Sequence, residues 1–162
     1  MSEGYGAAQE RLARLERLIE ISRTLTSTLE LQPLLRAITE AAAEITDSEA
    51  ASILLLDPGS GDLRFAAVPG WQGDKLQQVS VPVDRSIAGW VVRHRQPVIA
   101  DDVSTDPRFY IQVDKTIDFH TRSLLATPLI FKDKVIGVLE AVNKRSGDRF
   151  TPEDVESLAT LA

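Results

Sequence analysis

Few residues in this chain could do chemistry. Among its 162 residues there is no cysteine. That removes disulfides, thiolate metal sites, cysteine nucleophiles and any thioether-linked pigment, so a covalently attached bilin is excluded. Two histidines, His94 and His120, leave too little imidazole for a multi-histidine metal centre. A Ser–His–acid arrangement would have to use one of them, and no Gly-x-Ser-x-Gly elbow surrounds any serine. Asp101 and Asp102 are adjacent, so in an extended segment they point to opposite sides and read as loop or cap residues rather than paired acids. A glycine-rich phosphate loop with a lysine is absent. These side chains argue against an enzyme.

The elements that must position any site come from a chain of ordinary soluble composition, 43% hydrophobic and 26% charged. Eighteen Lys and Arg against 24 Asp and Glu give a net charge of −6. That balance argues against a nucleic-acid binder, which needs a basic face. Apolar runs such as Ala51–Leu56 are far short of a membrane span, and no basic-then-apolar signal segment opens the chain. The expectation is one domain, cytoplasmic, with no membrane partner.

Leu12, Leu15, Leu18, Ile19, Leu25 and Leu29 fall three, four or seven apart among strong helix formers. They predict an N-terminal amphipathic helix over residues 1–30, suited either to a coiled-coil seam or to packing on its own domain. A second helix is expected from Pro33, with Leu34, Leu35, Ile38, Ala41, Ala42 and Ile45 on one face. Ala51–Leu56, a turn at 57–62 and Leu63–Val68 read as a hairpin. After a loop at 69–74, residues 78–83 alternate as a strand ended by Pro82. Ser86 caps a short helix, Ile87–His94, and a short strand follows over Pro97–Ala100. One or two short helices are expected between Asp101 and His120. Ser123–Phe131 and Val135–Asn143 form a second hairpin. Thr151, Pro152 and Asp154 open a closing helix that is still running at Ala162, as in a piece truncated within that helix. Tight turns join most strands, so the fold class is α+β: a mostly antiparallel sheet of about six strands with helices set around it.

The stretch Val81-Pro-Val-Asp-Arg-Ser-Ile-Ala-Gly-Trp-Val-Val92 followed by Gln96–Ile99 resembles the GAF domain. So do Asp102–Phe109, Thr121–Leu129 and Val135–Lys144, in one order from Leu18 to Ala162. The likeness is nearest to the regulatory GAF domains of cyclic-nucleotide phosphodiesterases. Asn143-Lys144, Phe150 and Asp154 follow their Asn-Lys…Phe…Asp-Glu signature, although Val155 stands where its last acid belongs. The resemblance implies a GAF sensor domain over residues 31–162. Terminal helices lie on one face of its sheet, and a ligand pocket under short helices and loops lies on the other. It implies a non-catalytic regulatory module of a larger signalling protein, homodimeric through its terminal helices and passing ligand state to a downstream effector domain.

The same resemblance supplies a pocket. Ser52 would stand on its floor, Ile87 and Ala88 would offer backbone amides to a phosphate, and Tyr110, Asp114, Thr121 and Glu140 would complete it. A cyclic nucleotide is one candidate ligand. The family's base-stacking aromatic and its acid, however, fall at Ala67 and Val68, and Trp71 is the nearest substitute. Lys144 and Asp154 read as an internal ion pair tying the last strand to the closing helix. Two alternatives stand beside ligand sensing. One is a haem or gas sensor with His120, between Phe119 and Thr121, as the better axial ligand, since His94 lies between two arginines. The other is a ligand-free dimerisation module.

Overall fold

Alternation along the longest strand decides the architecture. In β6 (Lys134–Lys144), Leu139 and Ala141 are completely buried on one face, while Val138, Glu140 and Val142 point to the other. Both faces are therefore covered. The computed structural model describes residues 2–68, 73–76, 79–146 and 149–162.

The chain divides into two units, Met1–Leu34 and Leu35–Ala162. The first is helical throughout its described residues and belongs to α1 (Ser2–Ile45). Its Leu12, Leu15, Leu18 and Ile19 are each more than half exposed. The break expected at Pro33 is not there, because the helix is carried through that residue. A proline inside a helix forfeits one hydrogen bond and crowds the preceding turn, a cost of about 3 kcal/mol. The good helix formers on both sides, Leu31, Leu34, Leu35 and Ala37, absorb it.

The second unit holds a six-stranded sheet in the order β3-β2-β1-β6-β5-β4, every neighbouring pair antiparallel. Its strands are β1 (Ser48–Leu56), β2 (Leu63–Ala67), β3 (Ser80–Val81), β4 (Val98–Ala100), β5 (Leu124–Phe131) and β6. The strand expected over 78–83 shrinks to two residues, since Pro82 has no N–H to continue the ladder. A short helix not foreseen, α2 (Gly73–Leu76), follows β2, while 69–72 of the expected loop, Trp71 included, lie outside the described residues. Pro128 interrupts β5 opposite Val138, two residues past the last position that β4 reaches at Ala126.

One face of the sheet is closed by the Leu35–Ile45 stretch of α1 and by α5 (Pro152–Leu161). Leu35, Ala42, Phe150 and Leu158 pack there on Ile53, Leu125, Leu139 and Ala141. Thr151 caps α5 as a full capping box with Asp154. On the other face α3 (Ile87–His94) sets Ile87, Ala88 and Val91 on Leu54, Leu124, Ala126 and Val138. Its close seat depends on Gly89, where a Cβ would stand 1.9 Å from the Val83 carbonyl oxygen. Beyond β4 come a 3-10 turn at Val103–Thr105 and α4 (Gln112–Ile117), whose left-handed C-cap is Asp118.

Candidate functional site

Between the sheet and α3, α4 and their flanking segments lies a partly enclosed cavity of about 80 Å³. Its floor is set by register. Ser52 of β1 lies opposite Glu140 of β6, which lies opposite Ala126 of β5, and directly opposed residues share a face. Ser86 fixes the first turn of α3: its hydroxyl donates to the Pro82 carbonyl and accepts from the Gly89 N–H at 2.9 Å. The next two residues, Ile87 and Ala88, reach the cavity wall, and among the described residues nothing accepts from their amides. Tyr110 enters from the segment before α4 and Asp114 from α4 itself.

Asp114 is buried and holds the chain that follows its helix. Its carboxyl accepts from the Thr121 N–H and from the Thr121 hydroxyl, each at 2.7 Å. The same segment is gripped from β6 by Asn143, a buried residue at φ 57°, where asparagine is among the better tolerated side chains. The Asn143 Oδ1 accepts from Arg122 and Ser123 amides at 2.6 and 3.1 Å, and its Nδ2 donates to the His120 carbonyl and to Glu49, both at 3.0 Å. Thr121 is thereby placed from two sides.

Glu140 differs from all of these. Its residue is 9% exposed, and among the described residues no hydrogen bond or ion pair reaches its carboxyl. Burial pushes its pKa up, and the nearby Asp114 charge pushes the same way, to about 7. Among the described residues, neither Asp114 nor Glu140 pairs with a surface cation. Arg122 goes to Glu49 at 2.6 Å, and Lys144 goes to Asp154 at 2.6 Å beside the buried Phe150 ring. Burial alone would raise Asp154, but the Lys144 ammonium and the Thr151 cap together hold it below the usual carboxylate range.

All seven residues that the resemblance placed in a pocket (Ser52, Ile87, Ala88, Tyr110, Asp114, Thr121 and Glu140) line this one cavity. Ala67 does not. A bulge sets Ile53 opposite Ala67 but Leu54 opposite Phe65, so Ala66 is an extra residue that turns Ala67 to the terminal-helix face. Val68 is also absent from the wall. Aromatic surface arrives instead from Phe65, Phe109 and Phe119, which sequence reasoning did not assign. Phe65 alone carried a signal, through its alternation with Leu63. Neither histidine meets the expectation of a haem ligand: His120 is exposed and lines no part of the cavity, and His94 is exposed and stacked on Trp90 at 4.0 Å.

A model of the GAF domain family matches residues 30–162. The "Dual 3',5'-cyclic-AMP and -GMP phosphodiesterase 11A" of Takifugu rubripes is 29% identical over 154 residues, 88% of this chain and 17% of that protein. The "Cone cGMP-specific 3',5'-cyclic phosphodiesterase subunit alpha'" of Mus musculus is 35% identical over 80 residues, 49% of this chain and 9% of that protein. The chain thus spans less than a fifth of the length of these curated relatives. Among solved structures, the GAF domain of an Acinetobacter phosphoenolpyruvate-protein phosphotransferase superposes with a TM-score of 0.69 at 25% identity, covering 91% of this chain and 86% of that one. Sheet order, covered cavity and family match agree: the chain belongs to the GAF domain family, whose members are regulatory small-ligand-binding modules of signalling proteins.

Proposed function

We propose that this GAF domain is the non-catalytic sensor of a larger signalling protein. It takes a small organic ligand in the cavity above Ser52 and Glu140 and passes occupancy to an effector through its terminal helices. The observation that carries this reading is convergence. Residues from five strands, three helices and the loops between them meet at one partly enclosed void, with a carboxyl in its wall that pairs with no group among the described residues. A cavity that only reflected imperfect packing would be apolar throughout, because an unsatisfied buried polar group is costly. The names of the phosphodiesterase relatives make cyclic nucleotides the first ligands to try, and Phe65, Phe109 and Tyr110 supply apolar ring surface for a flat molecule.

The reading is tested by calorimetric titration of cyclic GMP, cyclic AMP and a metabolite set into the full chain, with thermal unfolding in parallel. A ligand at 100 times its Kd stabilises the fold by about 2.7 kcal/mol. Thr121→Val, which loses one of the two bonds to Asp114, and Asp114→Asn are expected to weaken a polar ligand by roughly tenfold, the worth of one net hydrogen bond. Unaltered binding in both variants would move the site elsewhere. Silence across the whole set would leave a ligand-free dimerisation module.

A further inference from the structure

We propose that the ligand of this cavity carries a cationic nitrogen, as an ammonium, amidinium or guanidinium group, seated at Glu140 and Asp114. The inference deepens the sensor reading above and rests on it. Among the described residues, two carboxyls line the cavity and no Lys, Arg or His does. Arg122 is engaged by Glu49 and Lys144 by Asp154, while Lys115, beside Asp114 on α4, is exposed and lines no part of the cavity. Glu140 has uncharged neighbours on both sides in the sheet, Ser52 and Ala126. In the same cavity wall, α3 contributes Ile87 and Ala88, and α4 contributes Asp114, whose charge is the one that acts on it among the described residues.

Among the described residues no buried side-chain oxygen lacks a hydrogen-bond partner, so the Glu140 carboxyl, which has no donor in the protein, opens onto the cavity and takes its donor from there. Asp114 narrows the choice. Its oxygens already accept from Thr121, so an incoming neutral donor would satisfy the ionised Glu140 yet leave it under the charge of Asp114. A cation answers both acids at once. An anion would meet two carboxyls behind walls of Leu54, Phe65, Val113 and Leu124, where poor screening strengthens repulsion as much as attraction.

Benzamidinium, benzamide and benzoate have nearly the same shape and differ in charge, so they test this directly by calorimetric titration into the full chain. Benzamidinium should bind, benzamide more weakly and benzoate not at all. Only the ionised Glu140 offers its charge, and its pKa is about 7, so benzamidinium should bind about tenfold tighter at pH 8 than at pH 6. Glu140→Gln, checked for native circular dichroism, should lose at least tenfold in affinity together with the pH dependence. Benzoate binding as well as benzamidinium, or Glu140→Gln binding benzamidinium like the parent, overturns the proposal. Binding of cyclic GMP without benzamidinium overturns it while the sensor reading stands. No response to any of the four probes overturns it and counts against the sensor reading as well.

Discussion

Glu140 makes the domain's stability depend on pH in the opposite direction from Glu49, Asp57, Asp106 and Asp154, whose pKa values are held low. Below its ordinary value of 4.5 the folded and unfolded chains both hold the proton, and the buried group costs nothing extra. Between 4.5 and about 7 only the folded state holds it, so stability falls as pH rises, and above 7 the loss is complete. Its size is on the order of 3 kcal/mol. Asp154, held low by Lys144 and Thr151, acts the other way and loses its contribution as pH falls. Glu140→Gln should therefore melt well above the parent at pH 8 and close to it at pH 4.5, as read by calorimetry of both proteins across that range. An unchanged difference between the two pH values would mean that the carboxyl is not buried as described.

At the scale of elements, the approach of β6 to β1 depends on one missing side chain. A Cβ at Gly137 would stand 2.1 Å from the Leu54 carbonyl oxygen, which no rotamer change relieves because the obstacle is backbone. Gly137→Ala should cost about 3 kcal/mol or more, seen as a lower urea midpoint. Gly59→Ala, in ordinary contact with the half-buried Asp57, should stay within about 0.5 kcal/mol of the parent. Elements were legible where local chemistry and period agreed. Ser86 and Ile87–His94 marked a capped helix, and Thr151-Pro152 marked the start of α5. They were not legible where a single position had to be weighed against its surroundings. Pro33 stays inside a helix because its neighbours hold it there, and the extra residue Ala66 reverses the face of Ala67 without any turn residue to announce it. The seven pocket positions came from motif resemblance. Period alone did not supply them, because the cavity's aromatic wall depends on which loop residues fold back over the sheet, and that is a tertiary matter.

For the whole molecule, β6 places the cavity one residue away from the face of the terminal helices. Glu140 is flanked by Leu139 and Ala141, which pack under α5 and the Leu35–Ile45 stretch of α1. A ligand that shifts Glu140 acts on that packing through a stiff central strand, which suits a domain proposed to report to an effector. The resemblance implied a homodimer through the terminal helices, and the exposed leucines of the first unit would form its seam. Leu15→Glu combined with Leu18→Glu should turn a dimer into a monomer in sedimentation velocity while leaving the melting of residues 35–162 unchanged. A monomeric parent would remove the helix-borne route.

Pro128 has a consequence for solubility. Where β5 outruns β4 it offers an open border, near the exposed Ile130 and Phe131, that another extended chain could join. A proline can sit in β5 only where β6 asks nothing of its nitrogen, so the missing donor falls on the open border. The β5 edge is thus blunted where its side chains would most invite aggregation, without spending a charge on a strand whose inner residues form the core.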